Sequence, residues 1–86
     1  MPTDGGIPHL TVYGRGYCHL CDDLIEGLRT LKSKVEFEFD VVDVDSDPAL
    51  EASYGELVPV VMHGEKRLCH YHLDVDTVTA YLRQIG

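Results

Sequence analysis

The chain has 86 residues, 44% of them hydrophobic and 26% charged, and a formal net charge of −8. That length fits one domain with two layers and a modest core. The acidity argues against nucleic-acid or anionic-membrane partners, which need clustered Lys and Arg. Three cysteines are too few, and odd in number, for a secreted disulfide scaffold.

Met1–Pro8 has two prolines, two glycines and no period, and reads as a loose leader to a single domain spanning residues 1–86. It lacks the basic start and apolar h-region of a secretory signal. The longest apolar run, Leu57–Met62, is far too short to span a bilayer. A cytoplasmic location is therefore expected, where thiols stay reduced unless they carry out redox work.

His9–Tyr13 has the β-branched and aromatic content of a strand. Gly14 and Gly16 then allow a tight turn. Leu20, Leu24, Ile25, Leu28 and Leu31 recur at helical spacing, which predicts an amphipathic helix from about His19 to Lys32. Gly27 is a weak point inside it. Val35, Phe37, Phe39 and Val41 alternate with Glu36, Glu38 and Asp40, as in a half-buried strand. Val42 and Val44 shift the phase, so the strand should end or bulge near Val42.

Asp43–Asp47 reads as an acidic turn. Asp47 before Pro48 fits an N-cap with proline at the first helical position, and Gly55 a C-cap, giving a short helix to about Tyr54. Val58–Met62 is strand-like, although Pro59 belongs at a strand start or edge. His63-Gly64-Glu65 should turn the chain into a returning strand, Lys66–Tyr71, with Leu68 and His70 on one face. Asp74 reads as an N-cap, with Leu73 stapled onto Val78. Val75, Val78, Leu82 and Ile85, flanked by Tyr81, form the last apolar stripe. The order is β-α-β-α-β-β-α, an α/β class with a right-handed parallel βαβ unit first and an antiparallel hairpin later.

Cys18-His19-Leu20-Cys21 carries the chemistry. At a helix start the backbone N–H groups are unpaired and the dipole is positive, so a Cys18 thiolate should be stabilised and its pKa lowered. A Cys-x-x-Cys at a strand-to-helix junction in a small α/β chain reads as a dithiol redox site. Two packed core thiols are the bland alternative.

Thr11-Val12-Tyr13, then Arg15-Gly16-Tyr17-Cys18-His19-Leu20-Cys21, then Tyr54-Gly55-Glu56-Leu57-Val58-Pro59-Val60 resemble the glutaredoxins and small bacterial glutaredoxin-like proteins of the thioredoxin fold. The resemblance covers about His9 to Leu82. It implies a four-stranded mixed sheet flanked by helices on both faces, and a cis Val58–Pro59 bond facing the dithiol. It also implies a thiol–disulfide oxidoreductase in the cytoplasm, a monomer without a bound cofactor or metal, with glutathione as a conceivable co-substrate. Its partners would be a protein disulfide or a glutathione mixed disulfide, and a thiol reductant. Two departures stand out. His19 and Leu20 replace the usual proline and tyrosine, and Cys69-His70 falls where glutathione-using members have Gly-Gly, which leaves glutathione use open.

In this reading Cys18 attacks a disulfide and Cys21 resolves the mixed disulfide. Arg15 holds the thiolate or an anionic substrate group, unless it is a solvated turn charge. Tyr17 covers the sulfur or packs on substrate, unless it is a surface aromatic. His19 tunes Cys18 when protonated, unless it is inert. Pro59 holds the Val58 backbone where a substrate could pair as an added strand. Cys69 is a third redox thiol or, the better reading, a small buried apolar residue. Two other functions stay open. One is a metal module, with zinc on Cys18, Cys21 and Cys69, His70 or His72, or with the iron–sulfur cluster between subunits that only the family resemblance implies. The other is a redox-inert adaptor binding a partner at the Pro59 edge.

Overall fold

The sheet grows outward from β1, His9–Gly14. The structure is a computed structural model that describes residues 7–16 and 18–85. β1 pairs in parallel with β2, Glu38–Asp43, from His9 opposite Glu38 to Gly14 opposite Asp43. On its other side it pairs antiparallel with β3, Val60–His63, with Tyr13 opposite Val60. β4, Lys66–His70, closes the antiparallel hairpin, so the strand order is β2-β1-β3-β4. With α1 (His19–Leu31), α2 (Pro48–Tyr54) and α3 (Val75–Ile85), the chain has the β-α-β-α-β-β-α order expected from the sequence and the four-stranded mixed sheet that the resemblance implies.

Alternation along β1 sorts its side chains to two faces. Leu10 and Val12 join Leu24, Leu28 and Leu31 of α1, Val78 and Leu82 of α3, Phe37, Val61 and Leu68 in one buried cluster. Burying an aliphatic or aromatic side chain of this kind contributes roughly 1.5–3 kcal/mol. Tyr13 points to the other face, where it stacks on Tyr54 at the end of α2, with ring centroids 4.3 Å apart.

The short elements rest on their caps. Asp43 Oδ1 accepts the Asp45 N–H at 2.8 Å and starts a 3-10 turn, Val44–Ser46. Asp47 Oδ1 accepts the Ala49 N–H at 2.8 Å, and Pro48 begins α2. Asp74 takes both the N–H and the hydroxyl of Thr77, and its carboxyl is held below the usual value by those two bonds. Gly64, at φ +61, supplies the left-handed residue of the hairpin turn.

Several elements differ from the sequence expectation. β2 starts at Glu38 rather than Val35, because the amides of Ser33, Lys34 and Val35 bond back to Thr30 and Leu31 and finish the helix. Its pairing then runs unbroken through Val42 to Asp43. The irregularity lies in the hairpin instead. Val61 faces Cys69 but Met62 faces Arg67, so Leu68 is an extra residue in β4 and both Leu68 and Cys69 pack on the core.

On α1 the first buried position is Cys21, while Leu20 is 37% exposed. Gly14 has no side chain, and Cys21 sinks against it. On α3 only the middle of the helix meets the sheet: Val78 and Leu82 are buried, Val75 and Ile85 exposed. Gly27 lies where Leu73 crosses α1; a Cβ there would stand 2.6 Å from Leu73 Cδ2. Among the described residues no helix is long and apolar enough to cross a membrane.

Candidate active site

Cys18 is the N-cap of α1. Its backbone is extended (φ −119, ψ 109), and its Sγ accepts the Cys21 N–H at 3.1 Å. Its carbonyl accepts the Asp22 N–H at 3.1 Å. The sulfur thus takes the place of the hydroxyl or carboxylate oxygen that usually satisfies a first-turn amide. A sulfur carrying negative charge is the better acceptor of such a bond, and it sits at the positive end of the helix dipole. Cys18 is half-buried and opens on a pocket of about 250 Å³ lined by Gly16, Cys18, His19 and Asp22.

Cys21 lies behind it, only 2% exposed. Burial, with the hydrogen bond to Cys18 and the charges of Cys18 and Asp22 adding to it, pushes its thiol up to about 11; the Arg15 backbone N–H opposes that shift. All three cysteines are free thiols. The two cysteines of the motif therefore differ: one at the rim of a pocket, one sealed and protonated beneath it.

The cis Val58–Pro59 bond precedes β3 at the sheet edge where β1 ends. Val60 pairs with Tyr13, so Pro59 lies at the level of Gly14 and the dithiol turn. Val58 is half-buried, and among the described residues its N–H and C=O make no backbone hydrogen bond. His19 is exposed at the first position of α1. Tyr17 lies outside the described residues.

Arg15 is placed differently from its expected role. Its Nη2 pairs with the Glu51 carboxylate of α2 and lies 3.8 Å from Asp45 Oδ1. Its backbone, not its guanidinium, meets the dithiol, through the N–H at the Cys21 sulfur.

Tyr71 was not singled out by sequence. Its N–H donates to the Pro59 carbonyl at 2.8 Å and its hydroxyl to the Glu56 carbonyl at 2.8 Å. It therefore braces both ends of the segment carrying Val58. It does so at φ 65, a conformation that bulky residues rarely adopt. No local pattern announces it, since glycine or asparagine is the usual signal for that backbone.

Cys69 is half-buried, and burial followed by the Asp74 charge raises its pKa, with the Asp74 backbone N–H opposing. It borders an open pocket of about 650 Å³ with His70, His72 and Asp74. Among the described residues no three His, Cys, Asp or Glu side chains converge to hold a metal ion. The zinc set of Cys18 and Cys21 with Cys69, His70 or His72 does not assemble.

The solution structure of protein Ne2328 from Nitrosomonas europaea is 41% identical, covering 94% of this chain and 98% of that one, with a TM-score of 0.80. The X-ray structure of protein XcR50 from X. campestris is 36% identical over 87% of this chain and 96% of its own, with a TM-score of 0.69. Thioredoxin 1 from Thermosipho africanus, 17% identical with 90% and 97% coverage and a TM-score of 0.59, shares the fold. No curated protein matches the chain. The glutaredoxin-like domain family (DUF836) matches residues 9–83, nearly the whole length, and the chain belongs to that family.

Proposed function

We propose that this protein is a dithiol–disulfide oxidoreductase of glutaredoxin-like type. The observation that carries the reading is the pairing of Cys18 Sγ with the Cys21 amide at 3.1 Å, which puts one sulfur at a pocket and a second, buried, one helical turn behind it. The Cys18 thiolate attacks a substrate disulfide R–S–S–R′, forms Cys18–S–S–R and expels R′–S⁻. Cys21 loses its proton and attacks Cys18 Sγ, expelling R–S⁻ and leaving a Cys18–Cys21 disulfide. The substrate gains two electrons, and a thiol reductant returns them to the protein.

The causes that raise Cys21 suit this order. Two of them, the hydrogen bond to Cys18 and the Cys18 charge, vanish once Cys18 is bound in a mixed disulfide. Cys21 is thus held protonated while Cys18 is free and becomes easier to ionise when its turn comes. The Val58 backbone, without a backbone partner among the described residues, offers an extended substrate segment a strand to join. The protein needs no bound cofactor in this scheme; a protein disulfide or a glutathione mixed disulfide serves as substrate, and a monomer in the cytoplasm suffices.

The test is disulfide reduction by wild type and by Cys18→Ser under a supplied thiol reductant. Activity should disappear in the serine variant. A variant that reduces disulfides as fast as wild type overturns the reading.

A further inference from the structure

The dithiol is surrounded by a lopsided charge distribution. Seven Lys and Arg residues occur in the chain. Arg15 alone stands at the dithiol edge, and its guanidinium is engaged by Glu51 and Asp45. One positive charge against two carboxylates leaves that group negative.

The other cations lie away from that edge. Arg29 is in the last turn of α1, a helix running roughly 20 Å away from Cys18. Lys32 pairs with Glu38 at 2.7 Å, at the start of β2. Lys34 and Arg83 share a depression with Leu31. Lys66 and Arg67 begin β4, opposite His63 and Met62. Exposed charges more than about 8 Å apart are largely screened at physiological salt, so these cations do little at Cys18.

Asp22, by contrast, stands at the dithiol edge, and two more acidic residues lie on segments that lead to it. Asp22 lines the Cys18 pocket, and Asp43 ends β2 opposite Gly14. Glu56 precedes the Val58 segment. Leu20 on the first turn of α1 and Tyr71, whose N–H donates to the Pro59 carbonyl, are exposed, and both are able to take an apolar side chain.

Resting on the oxidoreductase reading, we propose that the site takes disulfides in polypeptides flanked by basic residues and discriminates against anionic ones, glutathione disulfide included, because Glu51 and Asp45 hold its one nearby cation. Each carboxylate of glutathione would need a cation that the site does not offer. A Lys or Arg beside a substrate cystine meets Asp22 instead. The bond exchange is the one given above, with Cys18–S–S–R formed and the other substrate thiolate released. Electrostatic selection of this kind acts on the association rate and weakens with salt.

The test isolates the first step in Cys21→Ser. Three probes are used: two synthetic peptides with the same cystine core, one flanked by Lys and one by Glu, and oxidised glutathione. The rate of adduct formation at Cys18 is read by peptide mass at constant pH. Each rate is divided by the probe's rate with 2-mercaptoethanol, a neutral thiol, which removes the probe's own reactivity. At about 20 mM salt the Lys-flanked peptide should react at least tenfold faster than both anionic probes. By about 500 mM salt, where the screening length falls to a few ångströms, the ratio should shrink to about twofold. Adding Glu51→Gln and Asp45→Asn releases Arg15 and should raise the anionic rates several-fold; a thermal melt confirms that this variant is folded. Equal normalised rates, or a preference for the anionic probes, overturn the proposal and leave the dithiol chemistry standing. Failure of every probe to form an adduct at Cys18 overturns both.

Discussion

Cys18 Sγ accepts the backbone N–H of Cys21 at 3.1 Å, so the sulfur read here as attacking also caps the helix that hides the other. The pair should therefore alkylate in a fixed order. Peptide-resolved labelling of reduced protein with iodoacetamide should modify Cys18 first, while Cys21, raised to about 11, stays unmodified near neutral pH. In Cys18→Ser the hydrogen bond from Cys21 to a thiolate and the neighbouring charge are gone, and labelling of Cys21 should begin at lower pH. Burial remains, so it should still lag behind an unfolded thiol. Labelling of Cys21 ahead of Cys18 in wild type would contradict this arrangement.

The same shift makes a stability prediction. Above the ordinary thiol value of 9.0 the unfolded chain loses the Cys21 proton, whereas the folded chain holds it until about 11. The folded state then binds more protons, so stability present below pH 9 should decline as pH rises through that window. The decline from Cys21 is at most about 2–3 kcal/mol. Cys69, also raised by burial, acts in the same direction. Urea unfolding of reduced protein across this range should show the slope, and Cys21→Ser should reduce it.

Gly14 leaves room for the Cys21 thiol. A Cβ there would stand 3.1 Å from Cys21 Sγ and 3.5 Å from its Cβ, so Gly14→Ala must displace Cys21 by a few tenths of an ångström. The variant should lose about 1–3 kcal/mol of stability, the usual cost of overpacking. Its attack on a substrate disulfide should be nearly unchanged, while release of the mixed disulfide slows by about tenfold, equivalent to ~1.4 kcal/mol in the barrier. Stopped-flow measurement of the two steps separates them; equal slowing of both would show a general loss of structure instead.

Tyr71 holds the Glu56–Pro59 segment through its hydroxyl and its amide. Tyr71→Phe removes only the hydroxyl bond and should cost about 0.5–1.5 kcal/mol. Amide exchange at Leu57, whose N–H donates to the Tyr54 carbonyl, should quicken, and KM for peptide disulfides should rise with kcat little altered. Unchanged exchange in that segment would remove Tyr71 from the account.

Much of the framework was readable from local chemistry. The caps at Asp47, Asp74 and Gly55, the turn at Gly64 and the helix after Cys18 follow from short-range rules and appear as expected. The cis Val58–Pro59 bond came from family resemblance. What was not readable depends on distant partners. Val35 has the pattern of a strand residue but its amide completes the turn after α1. The extra residue at Leu68 arises only when β3 and β4 are paired. Arg15 lies three residues before Cys18, yet its guanidinium goes to carboxylates 30 and 36 positions later in the chain, Asp45 and Glu51. Leu20 fits the helical period too, yet it is Cys21 that is buried, packed against the bare backbone of Gly14.

The most direct test of the central claim is trapping with a neutral small disulfide, 2-hydroxyethyl disulfide, which bypasses charge selection. Cys21→Ser should accumulate one mercaptoethanol adduct, on Cys18, and wild type should pass through it to a Cys18–Cys21 disulfide. Cys18→Ser should form neither under the same exposure. An adduct that collects on Cys69, or a Cys18→Ser protein that is modified as readily as Cys21→Ser, would contradict the assignment of Cys18 as the attacking thiol.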